Sequence, residues 1–236
     1  MKVLGSKWVF TSKQDANGKV NKDKAHYVVK GLNQQPGQDF VDCYAPTPSI
    51  VTICLLLALK TQQKLHMTTF EISVACLHSP IDKEIYVKAP TELQPELKGK
   101  SMKLHKALNG TKQAICCWWL FFKSPINDMG LMVNNIRSSL YLYKQDWNYM
   151  LVWMHVDDGV ILTNNKGLLQ EIQSHMNKKL TVELNSNPDK IAGLNLKIGE
   201  NSIQINQNPI KTLIICTYPW KVLNETTPLP TLSTSL

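Results

Sequence analysis

Apolar and polar residues alternate along Trp8 to Ser12 with the two-residue period of a half-buried strand. Asp15-Ala16-Asn17-Gly18 follows. It is a turn sequence, because Asn-Gly tolerates positive φ, and Val20 to Lys30 is expected to return as the partner strand. Loops are expected at Gln34 to Gln38 and at Ala45-Pro46-Thr47-Pro48. The densest apolar run, Ile50 to Leu59, then predicts a helix capped by Ser49 and reaching about Gln63. Its apolar residues almost surround it, which predicts burial on most sides. Leu65 to Val74 and Ile85 to Lys88 read as strands, followed by a polar, proline-containing connection from Ala89 to Gly99. Cys116 to Phe122 begins like a helix that Pro125 interrupts.

Ser139 to Tyr143 is strand-like. Met150 to Val156 and Gly159 to Thr163 are apolar runs separated by Asp157-Asp158, a hairpin with an acidic tip. Asn164 or Asn165 can cap a helix in which Leu168, Leu169, Ile172, Met176 and Leu180 recur at helical spacing. Strands are expected near Ile191 to Ile198 and Ile203 to Ile205, and a further helix from Pro209 to Cys216. The tail from Asn224 is rich in Thr, Ser and Pro and reads as loose. The central order is strand, helix, strand, hairpin, helix, strand. It suits an antiparallel sheet with helices on one face, an α+β fold.

The composition is that of an ordinary globular chain, with 43% apolar and 19% charged residues in 236, enough for one sizeable core. The net charge of +8 favours anionic partners, nucleic acid first and an anionic membrane surface second. Arg137 is the only arginine, so contacts to nucleic acid should be mostly lysine to phosphate, and sensitive to salt. The first hairpin alone carries Lys7, Lys13, Lys19, Lys22, Lys24 and Lys30, either a solvated face or a basic finger over phosphates. Six cysteines without a C-x-x-C pair argue against a zinc ribbon. They suggest reduced thiols in an intracellular setting, as does the lack of a signal-peptide run from Met1 to Phe10. No stretch approaches the roughly 20 apolar residues of a membrane span.

His155-Val156-Asp157-Asp158 carries the sharpest chemical signal. Adjacent carboxylates repel, and burying one calls for a cation such as Mg²⁺, which takes oxygen ligands. Asp-Asp-Gly is equally a good turn sequence, so the tip alone leaves both readings open.

The wider chain, from about Lys7 to Thr217, resembles the copia-type reverse transcriptases of long-terminal-repeat retrotransposons. The resemblance rests on motifs in order: Lys7-Trp8-Val9-Phe10, Lys24 to Gly31, the loop Gln34 to Phe40, Tyr44-Ala45-Pro46-Thr47 and the leucine-rich Thr52 to Leu59. It continues through Leu65 to Ser79, Ile85 to Pro90, Leu104 to Ala114, His155 to Asp158 and Ala192 to Lys197. What it implies is a right-hand polymerase with an antiparallel palm sheet backed by helices and a truncated thumb. Fingers would span residues 1–66 and 81–115, with the first palm strand at 67–80. The palm would continue over 116–205, and 206–236 would hold the thumb root and tail.

The same resemblance implies two-metal nucleotidyl transfer with Mg²⁺ or Mn²⁺, using an RNA template, a DNA primer and deoxynucleoside triphosphates. Asp157, Asp158 and Glu71 would be the catalytic and metal-ligating carboxylates, Lys24 would sit near the triphosphate, and Gln113 would lie beside the nucleotide pocket. Glu71 stands where the family has aspartate. His26, Cys54 and Cys116 stand where it has arginine, Asn109 where it has tyrosine, Ile115 where it has proline, and Ser79 where it has glycine. These departures predict impaired catalysis, with a copy that only binds nucleic acid as the alternative. Arginine to cysteine or histidine follows from single transitions in CG-containing codons, the mark of a decayed element.

Overall fold

The computed structural model describes residues 2–14, 20–90, 95–199, 201–207 and 211–216. The chain begins with strands β1 (Val3–Leu4), β2 (Ser6–Gln14) and β3 (Val20–Val29), then helix α1 (Ile50–Gln63) and strand β4 (His66–Ile72). Short strands β5 (Tyr86–Lys88) and β6 (Ser101–Lys103) lead to helix α2 (Ala114–Asn127). Strands β7 (Met132–Val133), β8 (Leu140–Gln145), β9 (Asn148–His155) and β10 (Asp158–Thr163) precede helix α3 (Gly167–Met176). Strands β11 (Val182–Asn185), β12 (Lys190–Ile191), β13 (Leu194–Ile198), β14 (Ser202–Gln207) and β15 (Lys211–Cys216) complete the described elements. The expected mixed α+β class is observed.

The central sheet has six strands in the order β11-β4-β10-β9-β8-β7, with antiparallel neighbours throughout. Alternation along β10 divides its two faces. Ile161 joins a core with Trp118, Phe122 and Ile126 of α2 and Ile172 and Met176 of α3. Val160 and Leu162 join a second core with Ile53, Leu56 and Leu57 of α1 and with Leu194, Leu196, Ile203 and Ile205. The sheet is therefore covered on both faces, not on one as the element order suggested, because α1 and the β12-β13-β14-β15 sheet pack opposite α2 and α3.

Three local expectations change in the same way. Helix α1 buries one stripe, Thr52, Ile53, Leu56, Leu57 and Thr61, and leaves Ile50, Val51 and Leu55 exposed. The stretch from Lys211 to Cys216 is a strand paired along β14 rather than a helix, since the β14 edge offers it a ladder. The strand expected from Ile191 to Ile198 is split by a turn at Ala192-Gly193, both with positive φ. The expected interruption at Pro125 is also overturned, since helix α2 runs through it. Ser49 precedes α1 without a side-chain cap bond, whereas Asn165 Oδ1 accepts the Gly167 N–H at the start of α3. The expected hairpin strands β2 and β3 pair from Ser6↔Val29 to Thr11↔Lys24 and beyond, with a register shift between Lys13 and Gln14. Their turn, Asp15 to Gly18, and the tail from Asn224 lie outside the described residues.

Candidate functional site

Strands β9 and β10 pair from Asp158↔His155 to Thr163↔Met150, which leaves Val156 and Asp157 as the connection. Val156 has φ 59, the left-handed region that a β-branched residue seldom enters. Two hydrogen bonds hold it there. Trp118 Nε1 donates to the Val156 carbonyl at 2.6 Å, and the Ile72 N–H donates to the Asp157 carbonyl at 2.6 Å. One comes from α2 and the other from β4, so the acidic tip is fixed from both sides. The glycine after the two aspartates is dictated by packing. A Cβ on Gly159 would lie 2.3 Å from the Trp153 carbonyl oxygen and 2.4 Å from Phe70 Cζ.

Strand β4 runs antiparallel to β10, with Glu71 the Cα partner of Asp158. On its other side, Glu71 is the Cα partner of Glu183 on β11. Three carboxylate residues thus stand in one row across β10, β4 and β11. They line an open cleft of about 300 Å³ with Thr69, Asn185 and Lys190. Carboxylates directly opposite one another repel. Two of them have cationic or potentially cationic partners. Asp158 Oδ1 lies 2.9 Å from His155 Nδ1, whose ring is parallel to that of Trp153 at 6.1 Å. Glu71 Oε1 lies 3.8 Å from Lys24 Nζ of β3. The sequence-predicted Lys24, Glu71 and Asp158 are therefore brought together from the basic hairpin and two strands of the central sheet.

Asp157 extends this group from the tip. The protein around it desolvates its carboxylate and raises its pKa. Asp158 and Glu71 push the same way, against its own backbone N–H and His155. Its charge is also felt beneath the tip. Desolvation, then Asp157, then Cys117 lift the buried Cys76 thiol to about 11. Among the described residues, no group of three His, Cys, Asp or Glu side chains stands close enough together to hold a metal as placed. The donor chemistry nevertheless fits a hard divalent cation, because Glu71 and Asp158 offer only carboxylate oxygens to the open cleft, with Asp157 beside them at the tip. Mg²⁺ needs as few as one or two such groups while keeping several waters.

Gln113 is placed differently. It is fully buried, its Oε1 accepts from Gln34 Nε2 at 2.9 Å, and its Nε2 donates to the Asp39 carbonyl at 2.9 Å. Gln34 Oε1 accepts the Lys112 N–H at 2.8 Å, so the two glutamines clamp the loop after β3 onto the start of α2. Gly31 and Gly110 allow the same approach, since a Cβ on Gly31 would sit 2.1 Å from the Gly110 carbonyl oxygen. The amide of Gln113 is engaged within the protein, apart from the Lys24–Glu71–Asp158 group. Of the residues expected to stand at family arginine positions, His26 is exposed, Cys54 half-buried and Cys116 buried.

Sequence reasoning missed Glu183 and the roles of His155 and Trp118. The pattern Val182-Glu183-Leu184 does mark Glu183 as the outward residue of a strand, but its pairing with Glu71 is a tertiary fact. His155 had a visible signal, since it directly precedes the tip and sits three residues before Asp158.

The helix-packed antiparallel sheet thus carries an acidic hairpin beside an acidic strand. The chain belongs to the family described as reverse transcriptase (RNA-dependent DNA polymerase), which matches residues 1–228. It is similar to the retrovirus-related Pol polyprotein from transposon TNT 1-94 of Nicotiana tabacum, 28% identical over 197 residues, covering 82% of this chain and 15% of that polyprotein. It is also similar to the Pol polyproteins from transposons RE1 and RE2 of Arabidopsis thaliana, each 23% identical over 206 residues, covering 87% of this chain and 14% of theirs. The chain thus spans about one-seventh of the length of these relatives. The expected copia-type resemblance holds. The family generally uses a divalent metal and implies an RNA template, a primer and deoxynucleoside triphosphates as partners. Among the described residues, no helix is long and apolar enough to cross a membrane.

Proposed function

We propose that this chain is the nucleotidyl-transfer part of a retrotransposon Pol protein, extending a DNA primer on an RNA template. One observation carries the reading. Glu71 is in register with Asp158, and Asp157 directly precedes it at a tip held from both sides. In this reading, the six-stranded sheet with α2 and α3 is the palm, and the β2–β3 hairpin with residues 81–115 belongs to the fingers. The thumb root expected over 206–236 falls mostly outside the described residues.

Asp157, Asp158 and Glu71 would hold Mg²⁺ or Mn²⁺, two ions by the family's chemistry. When bound, such ions supply an activated primer hydroxyl and relief of charge on the phosphates. Lys24 offers an ammonium to the incoming triphosphate as a mobile point charge. His155 holds Asp158 in one orientation, and Trp118 and Ile72 fix the backbone that carries Asp157. The buried Gln34–Gln113 pair ties the loop after β3 to the start of α2. Glu71 keeps the charge of the family's aspartate but adds a methylene. A displacement of ~1 Å at a reacting centre can cost about a hundredfold in rate, so catalysis should be impaired.

A second reading is favoured by the lack, among the described residues, of three converging metal donors. In it, the chain binds nucleic acid through its lysines without copying it. Primer extension on an RNA template with Mg²⁺ or Mn²⁺ separates the two. Slow, metal-dependent addition that Asp157→Asn abolishes supports the first. Salt-sensitive binding to an RNA–DNA duplex with no extension by the wild type or by Glu71→Asp supports the second.

A further inference from the structure

We infer that Lys24 is a built-in occupant of the metal site, a latch that holds Glu71 until a triphosphate draws the lysine away. The inference rests on the polymerase reading above. Its basis is the 3.8 Å approach of Lys24 Nζ to Glu71 Oε1, a contact between the basic hairpin and the central sheet. Glu71 stands between Asp158 and Glu183, so it has a carboxylate residue on each side in the acidic row. A cation there relieves repulsion from both sides. His155 meets only the Asp158 end.

The length of Glu71 is what makes the contact. Aspartate would withdraw its carboxylate by about one carbon–carbon bond, about 1.5 Å, and a pair already at 3.8 Å would fall out of range. The glutamate that departs from the family pattern is therefore the arm that reaches the hairpin. Both partners are partly exposed, with 27% of the Lys24 side chain and 55% of the Glu71 side chain accessible. The latch is consequently weak and exchangeable, as a device that must open requires. An arriving triphosphate offers Lys24 several negative charges at once, and Glu71 becomes free for a metal in the same step. Nucleotide arrival and metal entry are thereby coupled.

The test is Mn²⁺ binding to the metal-free protein without nucleotide, read from the loss of the free-ion electron paramagnetic resonance signal. Lys24→Met should bind Mn²⁺ more tightly than wild type, by up to about fivefold, the size set by an exposed ion pair. Lys24→Arg, which keeps the cation, should stay near wild type. In a Glu71→Asp background, where the lysine no longer reaches, Lys24→Met should change little. An equal gain in both backgrounds would mean a general field of positive charge and would overturn the latch. Unchanged or weaker binding by Lys24→Met overturns it too, while wild-type binding leaves the polymerase reading standing. If neither wild type nor Lys24→Met takes up Mn²⁺, the metal site itself fails, and the latch with it. Melting curves of each variant establish that the comparison is between folded proteins.

Discussion

Glu71 and Asp158 face each other as Cα partners on neighbouring antiparallel strands, and Glu183 is the next partner of Glu71 in the same row. Opposed carboxylates weaken a sheet, so a fold selected only for stability would not place three of them side by side. The chain offsets the repulsion locally, with His155 against Asp158 and Lys24 against Glu71. Asp157 has no such ion pair among the described contacts, and its carboxyl group is held above the ordinary carboxylate range by desolvation and by its two acidic neighbours.

Removing the Asp157 charge should therefore stabilise the metal-free protein. Asp157→Asn keeps an acceptor for the residue's own backbone N–H while deleting the desolvated charge. The expected result in chelator at neutral pH is a rise in Tm on the order of a few degrees, with loss of primer extension. A melting temperature equal to or below wild type would show that the tip carries no stored repulsion.

Gly159 gives a second, independent check on the tip. Its Cβ position is blocked by the Trp153 carbonyl and by the buried Phe70 ring, neither of which can retreat without moving β9 or the core. Gly159→Ala should cost about 1–3 kcal/mol in urea unfolding, as overpacking usually does. Pairing it with Phe70→Leu should recover part of that loss, because one of the two clashes is then relieved. An alanine variant as stable as wild type would mean that the tip has more room than these distances allow.

Much of this arrangement is legible in the sequence because it is local. The acidic tip lies between two apolar runs, the helical spacing of Leu168, Ile172 and Met176 points to α3, and the alternation in Trp8 to Ser12 points to β2. What escapes is set by distant partners. Lys211 to Cys216 is a short apolar run that fits helix or strand equally, and only the β14 edge decides it. The leucines of α1 do not say which of them meets Trp153 and Val160. Glu183 reads as an ordinary outward strand residue until β11 takes its place beside β4. Gln113 reads as a loop amide, and its burial depends on Gln34, 79 residues earlier.

Acid should loosen the N-terminal loop through Asp39. Its carboxylate accepts from Lys2 Nζ at 2.8 Å and from the Gln35 N–H at 2.8 Å, and these bonds, Lys2 first, hold its pKa below the ordinary value. The folded pKa lies below the unfolded one. The stabilisation is therefore present above the unfolded value and is lost as pH falls through the folded one. Asp39→Asn should be less stable than wild type at pH 7 by roughly 0.2–1 kcal/mol, the range of an exposed pair, and the gap should close below the carboxylate range. Urea midpoints measured from pH 7 to pH 2 test this. A gap that stays constant across that range would separate the effect from ionisation.

The burial of Gln113 separates a supporting role from direct contact with nucleotide. Gln113→Leu preserves bulk but leaves Gln34 Nε2 without its acceptor and the Asp39 carbonyl without its donor, in a site closed to water. Each buried group left unsatisfied costs about 1–3 kcal/mol, so the variant should unfold at distinctly lower urea concentration. Replacing Gln34 by leucine as well removes the stranded Nε2 donor but frees the Lys112 N–H that Gln34 Oε1 accepts, so the double variant should lose less than the sum of the two single losses, as a coupled pair requires. A residue that only touches substrate would behave otherwise. Gln113→Leu would then melt like wild type and lose affinity for deoxynucleoside triphosphate alone, and the two substitutions would simply add.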